Sequence, residues 1–324
     1  MQAVIWTGYG PPEVLRVQEI ERPNPKANEI LVSIHAATVS AGDCEMRALA
    51  FAPWLKVAMR SYAGLRRPTR ITILGQELAG EVTAVGGDVS RFRVGDRVFG
   101  TPGFAMGAYA EYIALPATGG GVLATIPAGV SDEQAATLPV GGLTSLHFLR
   151  QAQLRPGQTV LINGAGGSIG TIAIQLAKRY GAEVTAVDSA AKLAMLREIG
   201  ADHVIDYAQE DFTRNGKKYD VIMDVVGKSA FAASVASLND RGVYLLVNPS
   251  LSHTLRARLG GTAGKRVIAG SPAERPEDLT YLAELVAAGE LRPVIDRRYS
   301  LAEVPEAHRY VESGAKVGNV VVAI

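Results

Sequence analysis

Between residues 159 and 188 the chain passes from a β-branched strand through a glycine turn into an amphipathic helix, then into a second strand that ends on an acid. The strand is Thr159-Val160-Leu161-Ile162-Asn163 and the turn is Gly164-Ala165-Gly166-Gly167-Ser168-Ile169-Gly170. Ile169 to Tyr180 reads as the helix, and Glu183 to Val187 as the second strand, with Asp188 at its end. This constrains the fold strongly, because a strand–helix–strand unit of apolar strands belongs in a parallel sheet covered on both faces. It also makes an anion site. Backbone N–H groups and the helix dipole favour negative charge, and missing Cβ atoms admit a pyrophosphate. The spacing of Gly164, Gly167 and Gly170 is G-x-x-G-x-x-G, a variant of the dinucleotide fingerprint and weak by itself. Asp188 stands where such a fold places the acid that binds the adenosine ribose. Turn and acid together predict a dinucleotide site carried by Gly164, Gly167, Ser168, Ile169, Gly170 and Asp188.

A rival uses the same residues. Gly166-Gly167-Ser168-Ile169-Gly170 also satisfies G-x-S-x-G, the elbow that presents a hydrolase nucleophile. Ser168 would attack, with Asp224 and either His253 or His308 as partners. An elbow explains neither Gly164 nor Asp188. The five histidines (His35, His147, His203, His253 and His308) are scattered and form no local catalytic signature.

The strand–helix alternation continues beyond this unit, with helix Ala190 to Ile199, strands His203 to Ile205 and Tyr219 to Val225, a helix near Phe231 to Leu238, strand Val243 to Val247 and helix Asp278 to Ala288. The first hundred residues differ. Ala3 to Trp6, Glu29 to His35, Ala79 to Val85 and Arg97 to Gly100 are short strands separated by turn residues, which implies a compact β-rich domain. Within it, Phe51, Trp54, Leu55, Ala58, Met59 and Tyr62 recur as the apolar stripe of an amphipathic helix. That helix is expected to pack its stripe on the core, with a lid over an acceptor site and a basic membrane-surface helix as other readings.

Composition narrows the class further. Lys and Arg total 33 against 32 Asp and Glu, so the net charge of +1 offers no general attraction to nucleic acid or an anionic membrane. Cys44 is the single cysteine, which rules out an intrachain disulfide and suits a reducing compartment. No apolar run is long enough to span a bilayer, and the N-terminus lacks a signal-like segment. The expectation is a cytoplasmic enzyme without nucleic-acid or membrane partners.

Several segments together resemble the medium-chain dehydrogenase/reductase superfamily, specifically its zinc-independent, quinone-oxidoreductase-like branch. They are Gly75 to Val82, Phe92 to Val98, Gly107 to Tyr112, the glycine turn, and Gly200-Ala201-Asp202-His203-Val204-Ile205-Asp206-Tyr207. The resemblance implies an α/β chain: a Rossmann doubly wound parallel sheet plus a β-rich GroES-like catalytic domain, with the cofactor in the cleft between them. The expected domains are 1–123 with 291–324 (GroES-like) and 124–290 (Rossmann), the tail returning to the first domain. A homodimer is implied too. The positions matching the family's catalytic zinc ligands are Ser40, Gln76 and Val140. Neutral oxygens and an aliphatic side chain cannot replace thiolate and imidazole for Zn²⁺, so no metal is expected.

Without a Lewis acid, alcohol oxidation gives way to reduction of electrophilic acceptors. The expected reaction is hydride transfer from NAD(P)H to a quinone, enone or other small apolar carbonyl. By resemblance, Ser40 and Asp43 are candidate catalytic groups, Asp43 having the equal alternative of fixing its own loop. Thr144 is expected at the nicotinamide, Asn319 near the cofactor, and Lys192 and Tyr207 near the adenosine ribose. Asp188 argues for NADH over NADPH. Two alternatives stay open: the serine hydrolase above, and a dinucleotide-binding adaptor that turns nothing over.

Overall fold

In the computed structural model, the strand–helix alternation that begins near Thr159 folds as a six-stranded, all-parallel sheet. The structure describes residues 1–227, 229–248 and 264–324; the Trp54 side chain and His253 lie outside the described residues. In chain order the first elements are β1 (Gln2–Trp6), β2 (Leu15–Glu19), β3 (Glu29–Val39), α1 (Ala41–Ala48), α2 (Pro53–Ala63), β4 (Leu78–Val85) and β5 (Arg97–Thr101). Next come β6 (Tyr112–Pro116), β7 (Val122–Thr125), α3 (Asp132–Ala136), α4 (Pro139–Ala152), β8 (Thr159–Asn163), α5 (Ser168–Arg179) and β9 (Glu183–Asp188). Then follow α6 (Leu193–Glu198), β10 (His203–Asp206), β11 (Tyr219–Asp224), α7 (Phe231–Ala236) and β12 (Leu238–Leu246). The last are β13 (Arg266–Ala269), α8 (Pro276–Ala287), β14 (Ile295–Ser300), α9 (Val304–Glu312) and β15 (Asn319–Ala323).

The chain divides into two units, Met1–Val140 with Glu274–Ile324, and Gly141–Ala273. The second holds the parallel sheet in the order β10-β9-β8-β11-β12-β13. Numbered from its own first strand this is 3-2-1-4-5-6, so the order reverses between β8 and β11, where open α/β sheets bind ligands beyond the carboxyl ends of their strands. Val160, Leu161 and Ile162 are all fully buried. Consecutive rather than alternating burial is what a strand covered on both faces shows. Asn163 and Asp224 end adjacent strands in register.

In the first unit, β14, β15, β3, β4, β5 and β7 form one sheet in that order, with β6 also on β3. All its pairings are antiparallel except β14 with β15. β15 pairs with β3, Val320 opposite Val39 and Val322 opposite Ala37, so the tail does return to this sheet. Trp6, Ile34, Leu78, Tyr109, Val304 and Val320 share its core. The stretches 124–140 and 274–290 group with this unit, unlike the 123/124 and 290/291 divisions expected above. The packing explains it: α3 lies on β3, β4 and β5, and α8 lies on β7.

α2 carries its apolar stripe unevenly. Phe51 and Met59 pack against the core and Ala63 is buried, while Ala58 and Tyr62 are exposed. The helix docks by one edge, and the Tyr62 hydroxyl donates instead to Phe104 O at 2.9 Å.

Candidate functional site

The glycine turn joins β8 to α5, and each glycine serves a different need. Gly164 has φ +83°, a left-handed conformation that reverses the chain out of β8, and its N–H donates to Val187 O at 3.0 Å. A Cβ on Gly170 would lie 2.5 Å from the Ala165 backbone, so α5 packs on the turn only without one. Gly167 is different: its nearest atom to a built Cβ is Gly164 O at 4.0 Å, which leaves space on that side.

Gly167 is also the N-cap of α5, with an extended backbone and no side-chain cap bond. Ser168 is already the first helical residue, because Gly167 takes the cap position. The first-turn N–H groups therefore need a partner other than a cap side chain, which is the condition for an anion site.

α4 is pinned to this turn. Ser145 Oγ lies 2.8 Å from Ile169 O and 2.7 Å from Gly141 O, and a Cβ on Gly141 would sit 2.9 Å from Ser168 O. Thr144, the neighbour of Ser145, is buried. Ser145 was not anticipated, since only the packing of α4 against the turn reveals its use.

At the end of β9, Asp188 is turned into the glycine loop. Its Oδ2 accepts from Gly166 N–H at 2.7 Å, and its Oδ1 accepts from Ser189 N–H at 2.9 Å and lies 3.3 Å from Lys192 Nζ. Tyr207 N–H reaches Asp188 O at 3.3 Å, and its side chain is 63% exposed. The structure thus brings Asp188, Lys192 and Tyr207 together beside the glycines. What the sequence did not reveal is that Asp188 is ion-paired and buried rather than projecting.

In the first unit, Ser40 is the N-cap of α1 and forms a reciprocal capping box with Asp43. Ser40 N–H and Oγ donate to Asp43 Oδ2 at 2.9 and 2.6 Å, and Asp43 N–H donates to Ser40 Oγ at 3.1 Å. Asp43 is fully buried, and burial pushes its carboxyl up to about 6 despite those hydrogen bonds. A Cβ on Gly42 would lie 2.9 Å from Gln76 Nε2 and 3.6 Å from Ser40 Oγ, so Gln76 covers the start of α1. The next residue, Glu77, was not singled out by sequence. It accepts from the Thr38 hydroxyl and, at 2.7 Å, from Val140 N–H, and burial pushes it up to about 7.

Gln76 thus lies against Gly42 beside Ser40, and its neighbour Glu77 accepts from Val140 N–H. Their donors do not suit zinc. Ser40 is committed to a capping box, and Val140 offers only an N–H that Glu77 already accepts. Among the described residues no group of three His, Cys, Asp or Glu side chains is placed to hold a metal ion. Asn319, at the start of β15, is buried with its Nδ2 on Val294 O at 3.0 Å. Cys44 is buried 3.3 Å from His308 Nδ1, and burial raises the thiol and pushes His308 down to about 3, so both are neutral.

The hydrolase partners are otherwise engaged. Asp224 accepts from Asn163 Nδ2 and Gly227 N–H at 3.0 Å each, from Tyr244 OH at 3.0 Å and from Ser229 Oγ. A carboxylate so fully bonded holds its loop and orients no histidine. His35 pairs with Asp132, His203 with Glu183 and His308 with Cys44.

Comparison with known proteins places these features in one family. The alcohol dehydrogenase GroES-like domain matches residues 26–127, and the zinc-binding dehydrogenase family matches residues 199–322. A quinone oxidoreductase of Pseudomonas aeruginosa is 33% identical over 98% of this chain and 97% of its own. A 2-methylene-furan-3-one reductase of Solanum lycopersicum is 29% identical over 99% of this chain and 79% of its own. The Escherichia coli quinone oxidoreductase, solved in complex with NADPH, superposes with a TM-score of 0.84 at 28% identity, covering both chains fully. The chain belongs to the medium-chain dehydrogenase/reductase superfamily, in its quinone-oxidoreductase-like branch.

Proposed function

We propose that this oxidoreductase reduces quinones, enones or similar small apolar carbonyls with NAD(P)H and without a metal. The observation that carries the reading is the uncapped N-terminus of α5 behind Gly164, Gly167 and Gly170. A reduced nicotinamide supplies one hydride; the acceptor takes it with one proton to give the hydroquinone or saturated carbonyl. The chain's own part is to bind and orient. The first-turn N–H groups around Gly167, Ser168 and Ile169 hold the pyrophosphate, and Thr144 and Asn319 are assigned to the nicotinamide end. Ser40 and Asp43 are the groups assigned to proton delivery. The Ser40 hydroxyl already points at a carboxyl that burial holds near 6, so a proton can be kept there at mildly acidic pH.

For the ribose end we keep NADH as the preferred cofactor, with NADPH also used. A 2′-phosphate beside Asp188 is repelled by up to about 4 kcal/mol per charge pair at about 4 Å and an effective dielectric near 20. Lys192, 3.3 Å from the same carboxylate, attracts that phosphate and offsets most of this. The preference is therefore expected to be modest. Cytoplasmic location and a homodimer complete the reading. Only the family resemblance supports the dimer. A reducing compartment fits the single cysteine, and no helix among the described residues is long and apolar enough to cross a membrane.

The test is a steady-state screen of quinones, enals and simple esters with NADH and NADPH, before and after chelation. Reduction of quinones or enones that survives chelation is the expected result. Ester hydrolysis abolished by Ser168→Ala, stoichiometric zinc required for turnover, or tight dinucleotide binding without turnover would each overturn it.

A further inference from the structure

We propose that α2, the loop after it and Phe104 form a docking surface for a bilayer with anionic headgroups. From Met46 to Gln76 the sequence contains six basic residues (Arg47, Lys56, Arg60, Arg66, Arg67 and Arg70) and no acid. Arg47 is buried against Glu312, while the other five are exposed. None of the ion pairs among the described residues involves those five. A chain whose total charge is +1 therefore carries an uncompensated local excess.

The same surface exposes apolar side chains. Phe104 is 84% exposed, Leu65 69% and Val57 67%. The pieces are held together. Thr69 N–H and Arg70 N–H fold the loop back onto Ala63 O, and Arg70 Nη1 donates to Ser61 O at 2.8 Å. The Tyr62 ring packs edge-on against Phe104, with ring centroids 6.4 Å apart. Val57 lies on the side of α2 away from Met59, which packs on the core.

The alternation of cations with apolar side chains selects the occupant. The core of a protein–protein interface is depleted of charge, with polar groups kept to the rim. Here Val57 follows Lys56 and Leu65 precedes Arg66 and Arg67, while Phe104 joins them through Tyr62, and such a mixture suits the boundary between headgroups and acyl chains. The docking is peripheral, since no helix among the described residues is long and apolar enough to cross a membrane. It departs from the expectation of no membrane partner, because the balanced total conceals the local asymmetry. Its use rests on the proposed function, in that apolar quinones and enones partition into bilayers. Vesicle binding itself needs no hydride transfer, so the two readings fail separately.

The test is flotation of the full chain with phosphatidylcholine vesicles and with vesicles also containing phosphatidylglycerol, at low and high salt. Binding is expected only to the anionic vesicles, and salt should remove it. Arg66→Glu/Arg67→Glu and Leu65→Ser/Phe104→Ser should each weaken partitioning by at least about tenfold. Turnover of a short-chain, water-soluble quinone should not change. Any of four results overturns the proposal: no binding to anionic vesicles, equal binding to neutral ones, undiminished binding by either double variant, or a raised KM for the soluble quinone with vesicle binding intact. The last would assign the surface to the acceptor's path.

Discussion

Asp188 and Asp43 are both buried aspartates, one in each structural unit, and their surroundings are opposite. Asp188 accepts two backbone N–H groups and has Lys192 3.3 Å away. Asp43 accepts from Ser40, while Arg47, four residues on, pairs with Glu312 instead, and burial pushes Asp43 up to about 6. Glu77 is likewise pushed up by burial, to about 7, with the Asp43 charge adding to the rise and Lys316 opposing it. Asp188 is thus held by backbone N–H groups and a lysine at the glycine turn. Asp43 and Glu77 are a buried pair of carboxyls whose charge depends on pH. Similar side chains are placed in different electrostatic settings, one beside a lysine and the others governed by desolvation.

Four substitutions test this contrast. The largest effect is expected from Gly170→Ala, because its Cβ would lie 2.5 Å from the Ala165 backbone, which cannot rotate away. Overpacking there should cost about 3 kcal/mol of stability and most dinucleotide affinity. Chemical denaturation and cofactor titration measure the two, and a wild-type result in both would mean that the turn is looser than described.

Next is Glu77→Gln. A carboxyl raised from 4.5 to about 7 contributes stability that is fully present below pH 4.5 and lost as pH rises through 7. Glutamine does not titrate and keeps an acceptor for Val140 N–H. The variant should therefore gain about 2 kcal/mol on the wild type between pH 5 and pH 8. Denaturation midpoints across that range decide it. A pH-independent difference would mean that Glu77 keeps its charge in the fold.

Asp188→Ser follows. Losing the carboxylate leaves Lys192 to favour a 2′-phosphate, so the ratio of kcat/KM for NADPH over NADH should rise by about tenfold, or 1.4 kcal/mol. Because Asp188 also holds Gly166 N–H, KM should rise for both cofactors. A wild type that already prefers NADPH several-fold would show that Lys192 dominates. Ser168→Ala should do least. Ser168 lies inside the helix rather than at its cap, so the cost is under about 1 kcal/mol, and quinone reduction persists. Loss of all turnover in that variant would break the contrast between the two sites.

Much of the second unit was legible because its chemistry is local. The glycine turn and Asp188 lie within one strand–helix–strand frame, so their spacing predicts that they converge, whereas Lys192 and Tyr207 were expected there by resemblance. The first unit was less legible. Glu77 acquires its role from Thr38 and Val140, 39 and 63 positions away, and no periodic signal marks such a pairing. Asp224 was weighed only as a hydrolase partner, yet it anchors Asn163, Ser229 and Tyr244 around the end of β11. The turn did not disclose that Gly167 rather than Ser168 would cap α5, because both residue types are good N-caps and backbone geometry makes the choice.

The sequence by itself determined the parallel sheet and the glycine turn and, at the positions the resemblance marks, the poor fit of Ser40, Gln76 and Val140 to zinc. These follow from hydrophobic period, missing Cβ atoms and donor chemistry, which are properties of residue types in order. Only the tertiary structure decided which carboxylates are compensated, which helix edge is left exposed and which amides remain for a ligand. Those depend on desolvation and on which partner, near or far in the chain, each side chain is turned towards. Asp43 and Asp188 each have a cation four residues on, and the fold turns Arg47 to Glu312 while Lys192 stays 3.3 Å from Asp188.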